Sequence, residues 1–476
     1  MSNLRNDVDK KEGGRMRFRR LFLLSGTFAL AGCAHVDPNP AFRELANTVH
    51  LRTGKRVQWN RGSAQDVEAQ AAVTSLLRRP VTADSAVQVA LLNNHNLQAT
   101  YEELGIAQAD LVEVGLLRNP IFTFERRFPG QALEMDLLKE FIDILLLPLR
   151  KRIAAAQFEA AKLRVGHEIL KTAAEVRAAF YEHQGDEELI DLRKTVADAT
   201  ERSAETALRM QQAGNLKNLD LATEQASHAQ AKIELAKAQS EAVQTREKLS
   251  KLMGAFGAQT NWTVASRLPE LSGGEVSTSQ VESRAIQQRL DLAAARQEFI
   301  AQARSLGIAR ADAILQQAEF GAHYEREISG EYAVGPSVNV PIPIFNQGQA
   351  AVARSSAKLR QSEQRYLALA ADIRSDVRAA RDKMLLSRRQ VEYFKSTALP
   401  TRMRVTEESQ LEYNAMQIGP FQLLQAKQEE VKTGAESVEA LRDYWVARSE
   451  LEKAVGGSLT GKFVSLQSDE KESPKR

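Results

Sequence analysis

The sequence has a single cysteine, Cys33, so no disulfide can form within one chain. Aromatic residues make up only 6% of it, too few for a compact aromatic core. No proline lies between Pro148 and Pro269, a stretch rich in Ala, Gln, Glu, Leu and Arg. This stretch predicts very long helices, and one over residues 149–212 would be about 95 Å long at about 1.5 Å per residue. Since a globular domain cannot bury such a helix, partner helices of similar length must lie along it.

Without residues 1–32, the chain has no excess of charge of either sign. Residues 1–32 contain seven Lys or Arg and three Asp or Glu, so 57 of the 64 basic and 58 of the 61 acidic residues remain. A nearly neutral chain gives no support for nucleic-acid binding.

Histidine is scarce and scattered. The seven histidines include no pair four residues apart, so no metal cluster can be read from their spacing. Carboxylates are abundant, but on helices they are expected to form ordinary surface charge pairs. The sequence therefore predicts no metal, no cofactor and no enzymatic activity. The histidines are His35, His50, His95, His167, His183, His228 and His323.

The N-terminus has the features of an export signal. A basic stretch over residues 16–20 precedes an apolar run over 21–30 that is too short to span a bilayer. Residues 30–33 read Leu-Ala-Gly-Cys, which looks like the lipobox of bacterial lipoproteins. We expect residues 1–32 to be removed and Cys33 to be lipidated, although a plain signal peptide with a chance cysteine would look similar. Met16 is a second candidate start.

The remainder of the chain is duplicated. The heptapeptide at residues 104–110 recurs at 306–312, a spacing of 202 residues, and two glycine-centred turns at Gly214 and Gly419 lie 205 residues apart. Because these two features recur at nearly the same spacing, they predict that the chain consists of tandem repeats. The expected organisation is a lipidated extended segment over 33–80, a first repeat over 81–257, a linker over 258–280, a second repeat over 281–457 and a disordered charged tail over 458–476.

Each repeat interrupts its helices with residues of period-two alternation, which predicts two short hairpins of four strands in all. The outward, lipid-facing positions of these strands are predicted to be Phe122, Phe124, Leu133, Met135, Leu137, Val334, Val338 and Val340. The opposite face is expected to carry Thr123, Asp136, Ser337 and Asn339.

Two seven-residue repeats predict coiled-coil seams between helices. The first joins Leu235, Ala242, Leu249 and Phe256, and the second joins Leu424, Val431, Val438 and Trp445. An ordinary helical bundle would explain the seams equally well, but it would not explain the interrupting hairpins.

Several motifs together resemble the TolC family of outer-membrane efflux proteins over nearly the whole mature chain. They are residues 94–97 (Asn-His-Asn-Leu), 289–292 (Arg-Leu-Asp-Leu), 341–348 (Pro-Ile-Pro-Ile-Phe-Asn-Gln-Gly) and the two glycine turns. The resemblance implies a mainly α fold with short β: a homotrimer in which each protomer gives four strands to one outer-membrane β-barrel, continued by an α-helical periplasmic tunnel. Physical reasoning also favours a trimer, because an open four-stranded sheet in lipid leaves unpaired edges.

The resemblance further implies passive conduction of substrates from an inner-membrane pump of the RND type, joined through a periplasmic adaptor. The adaptor would meet the two turns at Gly214, Asn215, Leu216, Asn218, Gly419, Pro420, Phe421 and Leu423. Both glycines are expected to adopt left-handed backbone angles, and the open alternative is that they only cap helices.

Family members close the tunnel with acidic residues shortly after the second turn. Here that region contains Gln425, Gln428 and Glu429, which are either a pore constriction or solvated helix surface. The alternative function is a lipid-anchored periplasmic coiled-coil spacer or adaptor. A compact β-rich module is expected of an adaptor, whereas this sequence predicts only two isolated hairpins.

Overall fold

The computed structural model describes residues 36–127, 132–265, 267–271, 280–315, 318–327, 329–340, 342 and 344–459. Within these ranges the chain is mainly helical with four antiparallel strands, as the sequence predicted. The first half contains α1 (Asn39–Thr53), α2 (Ala64–Leu77), α3 (Ala83–Asn93), α4 (His95–Gly115), β1 (Ile121–Arg127), β2 (Ala132–Glu140), α5 (Phe141–Gln212) and α6 (Asn218–Met253). The second half contains α7 (Val281–Gln288), α8 (Leu290–Leu315), β3 (Glu319–Arg326), β4 (Tyr332–Asn339), α9 (Gln349–Tyr393), α10 (Leu399–Asn414) and α11 (Pro420–Val455).

The predicted extended segment over 33–80 is wrong, because α1 and α2 occupy most of it. Pro40 lies in the first turn of α1, where the missing N–H has no intrahelical partner to lose, so it begins a helix instead of breaking one. At the start of α2 the Asp66 carboxylate accepts a hydrogen bond from the Ser63 backbone N–H at 2.7 Å, as in a capping box. Arg52 then ties α1 to the second repeat by donating to the carbonyls of Gln288 (2.7 Å) and Gly456 (3.1 Å).

The two halves repeat one another in detail. The helical run that follows Thr82 is broken at Asn94, and the corresponding run of the second half is broken at Arg289. Both residues have extended backbone angles. In each half the glycine that ends the last helix packs against this break. A Cβ on Gly254 would lie 2.7 Å from the Asn93 carbonyl oxygen, and one on Gly456 would lie 3.2 Å from Arg289 Cγ. The helix break and the glycine packed against it therefore occur at corresponding places in both halves.

The longest helix, α5, begins at Phe141 and not at Pro148 as predicted. Its 72 residues span about 108 Å at about 1.5 Å per residue. It packs against α6 along one side and against α8 and α11 along others, so it connects the two repeats. Pro148 lies at the end of its second turn, inside the helix, where it has no N–H to donate to the carbonyl of residue 144.

The core consists of two clusters, one in each repeat, rather than one centre. The first surrounds the buried residues Trp262 and Tyr101, and the second surrounds Ile373 and Leu451. Trp262 and Leu268 belong to the predicted linker, and each is buried in one of the two clusters.

Three residues of the predicted seams are buried, Ala242 and Leu249 in the first and Trp445 in the second. Four more are half-buried: Leu235, Leu424, Val431 and Val438. Phe256 is the exception, because α6 ends at Met253 and the ring is 64% exposed. Pro400 restarts the chain as α10 after a π-helical turn over Phe394–Ala398, as expected of a proline inside a long helical run.

Candidate membrane sheet and helical tips

The four strands form one antiparallel sheet in the order β1-β2-β3-β4. Pairing of β2 with β3, from Leu133 opposite Arg326 to Glu140 opposite Glu319, joins the hairpins of the two repeats. β1 and β4 are the edges of this sheet.

One face of the sheet is apolar and exposed. Because residues opposite each other in a sheet share a face, the register places Phe124, Met135, Tyr324 and Val334 side by side. The predicted outward residues within the strands all lie on this face, and the exposed fractions reach 63% for Phe122, 58% for Phe124, 49% for Leu137, 69% for Val334 and 57% for Val338. Leu133 and Met135 are half-buried. Val340 is exposed but follows β4, which ends at Asn339. Contact of this face with lipid stays a prediction.

The opposite face is polar and mainly acidic. One row contains Thr123, Asp136, His323 and Gly335, and the row beside it contains Glu125, Glu134, Glu325 and Ala333. Ser337 and Asn339 lie on this face as well, in agreement with the alternation read from the sequence.

His323 brings together a group that the sequence did not reveal. Its Nδ1 lies 2.7 Å from Asp136 Oδ1, and its Nε2 lies 3.7 Å from Glu325 Oε2. One ligand atom each from His323, Asp136 and Glu134 lies within 4.8 Å of the others. The alternation had assigned Asp136 to this face and placed His323 at a polar position of its strand. The sequence pattern did not indicate that β2 pairs with β3, and this pairing joins residues almost two hundred positions apart.

The first tip is the turn between α5 and α6. Gly214 adopts the predicted left-handed conformation, with φ 78°. The turn is held by Gln211, whose side-chain amide donates to Asn218 Oδ1 at 3.0 Å. Asn215 is exposed and Leu216 is half-buried, whereas Leu219, in the first turn of α6, is 74% exposed.

The second tip, between α10 and α11, differs from the prediction. Gly419 has extended angles (φ −84°, ψ 165°), and the left-handed residue is Met416, with φ 58°. Gly419 caps α11 instead: its N–H donates to Gln422 Oε1 at 2.7 Å, and Pro420 begins the helix as expected. Phe421 and Leu423 are half-buried, so the apolar side chain presented at this tip is Met416, which is 93% exposed.

The candidate constriction lies two turns into α11. Gln425 is exposed, while Gln428 and Glu429 are half-buried. Glu429 Oε2 lies 3.7 Å from Arg402 Nη2 of α10, so its charge is partly compensated. A role in closing a tunnel stays a prediction for these three residues.

The lipidation site Cys33 and the tail beyond Leu459 lie outside the described residues. Among the helices of the described ranges, none has the combined length and apolar character needed to cross a bilayer.

A small antiparallel sheet combined with long helical hairpins gives the chain the fold of bacterial outer-membrane channels. The Campylobacter jejuni CmeC outer membrane channel matches with a TM-score of 0.68 at 15% identity, over 80% of this chain and 87% of that one. The open state of the Neisseria gonorrhoeae MtrE outer membrane channel matches with a TM-score of 0.62 at 17% identity, over 79% and 88%.

Among proteins of known function, the chain is similar to the cobalt-zinc-cadmium resistance protein CzcC of Cupriavidus metallidurans. The two are 22% identical over 354 residues, which is 73% of this chain and 83% of CzcC. No protein-family model matches the sequence.

Proposed function

We propose that this protein is the outer-membrane channel of a tripartite efflux system. Three copies form a β-barrel in the outer membrane and a helical tunnel in the periplasm, and substrates cross it passively. The channel is anchored by lipid on Cys33, and it receives substrates from an inner-membrane pump of the RND type through a periplasmic adaptor. The similarity to channels such as CmeC and to the resistance protein CzcC supports this assignment.

The observation that carries the proposal is the sheet with one exposed apolar face and two open edges. The strands alternate in direction, so β4 runs antiparallel to β1. β4 of one protomer can therefore pair with β1 of the next and continue the antiparallel order. Unpaired backbone groups at an edge cost several kcal/mol each in lipid, whereas closure of three sheets into one barrel satisfies them.

The helices favour the same assembly. Exposed apolar side chains occur along α6 and α9, among them Ile233, Val243, Leu367 and Leu386. Helices of a single protomer leave this surface in water, and long helices of neighbouring protomers would cover it. A trimer would thus pair the open edges of the sheets and cover the exposed apolar surface of the helices.

The tips are proposed as the adaptor-binding surface. Leu219 and Met416 are large apolar side chains that one protomer leaves exposed at the ends of its helical hairpins. Burial against an adaptor would account for both. The originally predicted residues Leu216 and Phe421 contribute less exposed surface.

The experiment compares two double variants of the complete protein, L219D/M416D and L216D/F421D. Both should fractionate with the outer membrane as trimers. The first should abolish adaptor pull-down and efflux, and the second should weaken them less. Wild-type protein that fractionates as an inner-membrane or periplasmic monomer would refute the channel and favour the spacer. Undiminished adaptor binding by a trimeric L219D/M416D variant would refute the assignment of the tips alone.

A further inference from the structure

We propose that the polar face of the sheet contains a binding site for a divalent transition-metal cation, formed by His323, Asp136 and Glu134. The site lies in the sheet, far from the helical tips, and it uses residues from both repeats. The pairing of β2 with β3 within one protomer is sufficient to form the site.

The geometry suits a first coordination shell. The three ligand atoms lie within 4.8 Å of one another, and the His323 Nδ1 to Asp136 Oδ1 distance is 2.7 Å. In a tetrahedral zinc site, with bonds of about 2.0–2.1 Å, neighbouring ligand atoms lie about 3.3 Å apart. A cation replacing the proton between Nδ1 and Oδ1 would therefore separate these atoms by less than about 1 Å. The third ligand, Glu134, lies in the neighbouring row of β2, with a carboxylate oxygen within 4.8 Å of the other two ligand atoms.

The side chains are held in position by the fold. Asp136 and His323 are direct partners in the pairing of β2 with β3, so the backbone of two strands fixes their separation. Both side chains are partly shielded, with 22% and 32% of their surface exposed. On the other side of His323, in β4, the partner is Gly335, and a Cβ built there would meet no atom within 4 Å. This leaves open space beside the imidazole for a hydrated cation.

The donor set indicates the class of cation. Carboxylates alone would suit Mg²⁺ or Ca²⁺, whereas an imidazole nitrogen favours Zn²⁺, Co²⁺, Ni²⁺ and Cu²⁺. The imidazole thereby distinguishes this group from an ordinary acidic patch. Three protein ligands leave at least one coordination position for water, so the cation can exchange instead of being locked in place.

The surrounding charges strengthen the attraction. Glu125 and Glu325 lie in the row of Glu134, and Glu325 Oε2 is 3.7 Å from His323 Nε2. When Nδ1 binds a cation, Nε2–H can donate to this carboxylate, which would orient the ring as outer-shell carboxylates do in metal sites. Glu319 lies on the same face at the other end of β3, opposite Asn339, and outside the donor set.

The cation site depends only on the sheet register, whereas its position on a conduction path rests on the proposed function. If the polar face lines a barrel, three copies of the site surround the lumen near its outer end. A cation leaving through the channel would then bind transiently to one of them before release.

The test uses Co²⁺ as the probe and the complete detergent-solubilised protein. Absorption titration should show one Co²⁺ per protomer. His323→Gln should weaken this binding at least about tenfold, and Asp136→Asn and Glu134→Gln should each weaken it as well. The matched control is Glu319→Gln, which removes the same charge from the same face and should leave the affinity within about twofold.

Two results would overturn the site. Unchanged Co²⁺ affinity in the His323→Gln variant would show that the imidazole is not a ligand of the cation. Equal weakening by Glu319→Gln and Asp136→Asn would reduce the interaction to a general attraction between cations and the acidic face. If the variants fail to fold, pulsed electron paramagnetic resonance of Cu²⁺ bound to the wild-type protein tests whether an imidazole coordinates the cation. A coordinated imidazole gives a signal from its remote nitrogen. Absence of that signal at one Cu²⁺ per protomer would also overturn the site. None of these readouts requires efflux, so the site can fail while the channel assignment stands.

Discussion

Gly185 provides a sensitive test of how the two repeats pack against each other. It lies in the middle of α5, where a Cβ would be 2.7 Å from Arg442 Cγ, 2.8 Å from its Cδ and 2.9 Å from its Cβ. Rotation of the arginine cannot remove the last of these contacts, because Cβ is fixed by the backbone of α11. Rotation would also break the ion pair between Arg442 Nη1 and Asp186 Oδ1, which are 3.0 Å apart. Gly185→Ala should therefore push α5 and α11 apart.

Gly434→Ala is the matched control, since a Cβ at Gly434 in α11 would meet no atom within 4 Å. Both changes gain about 1 kcal/mol of helix propensity, so the gain cancels when the variants are compared. What remains is the cost of overpacking at Gly185, about 1–3 kcal/mol. Thermal unfolding followed by circular dichroism should give Gly434→Ala a midpoint at or above the wild type and Gly185→Ala a clearly lower one. Equal midpoints for the two variants would refute this packing.

Three further predictions concern other parts of the molecule. Burial, together with the nearby positive charge of Arg246, lowers the pKa of His183 to about 4. Below about pH 6.5 this imidazole is therefore protonated in the unfolded chain but stays neutral in the folded one. The free energy of unfolding should fall by up to roughly 3 kcal/mol between pH 6.5 and pH 4, and it should fall less in the His183→Gln variant. Met416→Gly should relieve the left-handed strain and stabilise the second tip by about 0.5–1 kcal/mol, seen as slower hydrogen exchange there. Val338→Arg should cost about 2–4 kcal/mol of assembly and lower the trimer yield, whereas Ser337→Arg on the opposite face should be tolerated.

The strands and long helices could be predicted from sequence because their signals are local. Alternation over Phe122 and Phe124, or over Val334 and Val338, reflects one apolar and one polar face within a few residues. The proline-free stretch likewise predicts α5 without knowledge of its partners. These elements and the duplicated plan fix the fold class.

Features set by tertiary contacts or by exact backbone angles could not be predicted. Asp136 meets His323 through strand pairing between repeats, and no local pattern encodes that register. At the second tip, Gly419 was the natural candidate for a left-handed residue, yet the hydrogen bond from its N–H to Gln422 holds it in a capping conformation. The strained angles move to Met416 as a result. The prediction of an extended segment over 33–80 missed α1, because Pro38 and Pro40 occur at helix starts as well as in loops.

The central claim is that three sheets close into one barrel, and cross-linking of the sheet edges tests it most directly. Thr123 of β1 and Ser337 of β4 lie on the polar face at opposite edges of one protomer's sheet. Three strand spacings of about 4.8 Å and an offset of two residues along the strands place them more than about 14 Å apart, beyond the reach of a disulfide. In a closed barrel β4 lies beside β1 of the next protomer. Thr123→Cys combined with Ser337→Cys, treated with a thiol cross-linker spanning only about 5 Å in outer membranes, should give a covalent trimer that survives boiling in detergent. Folded protein that yields only monomers would contradict the closed trimeric barrel.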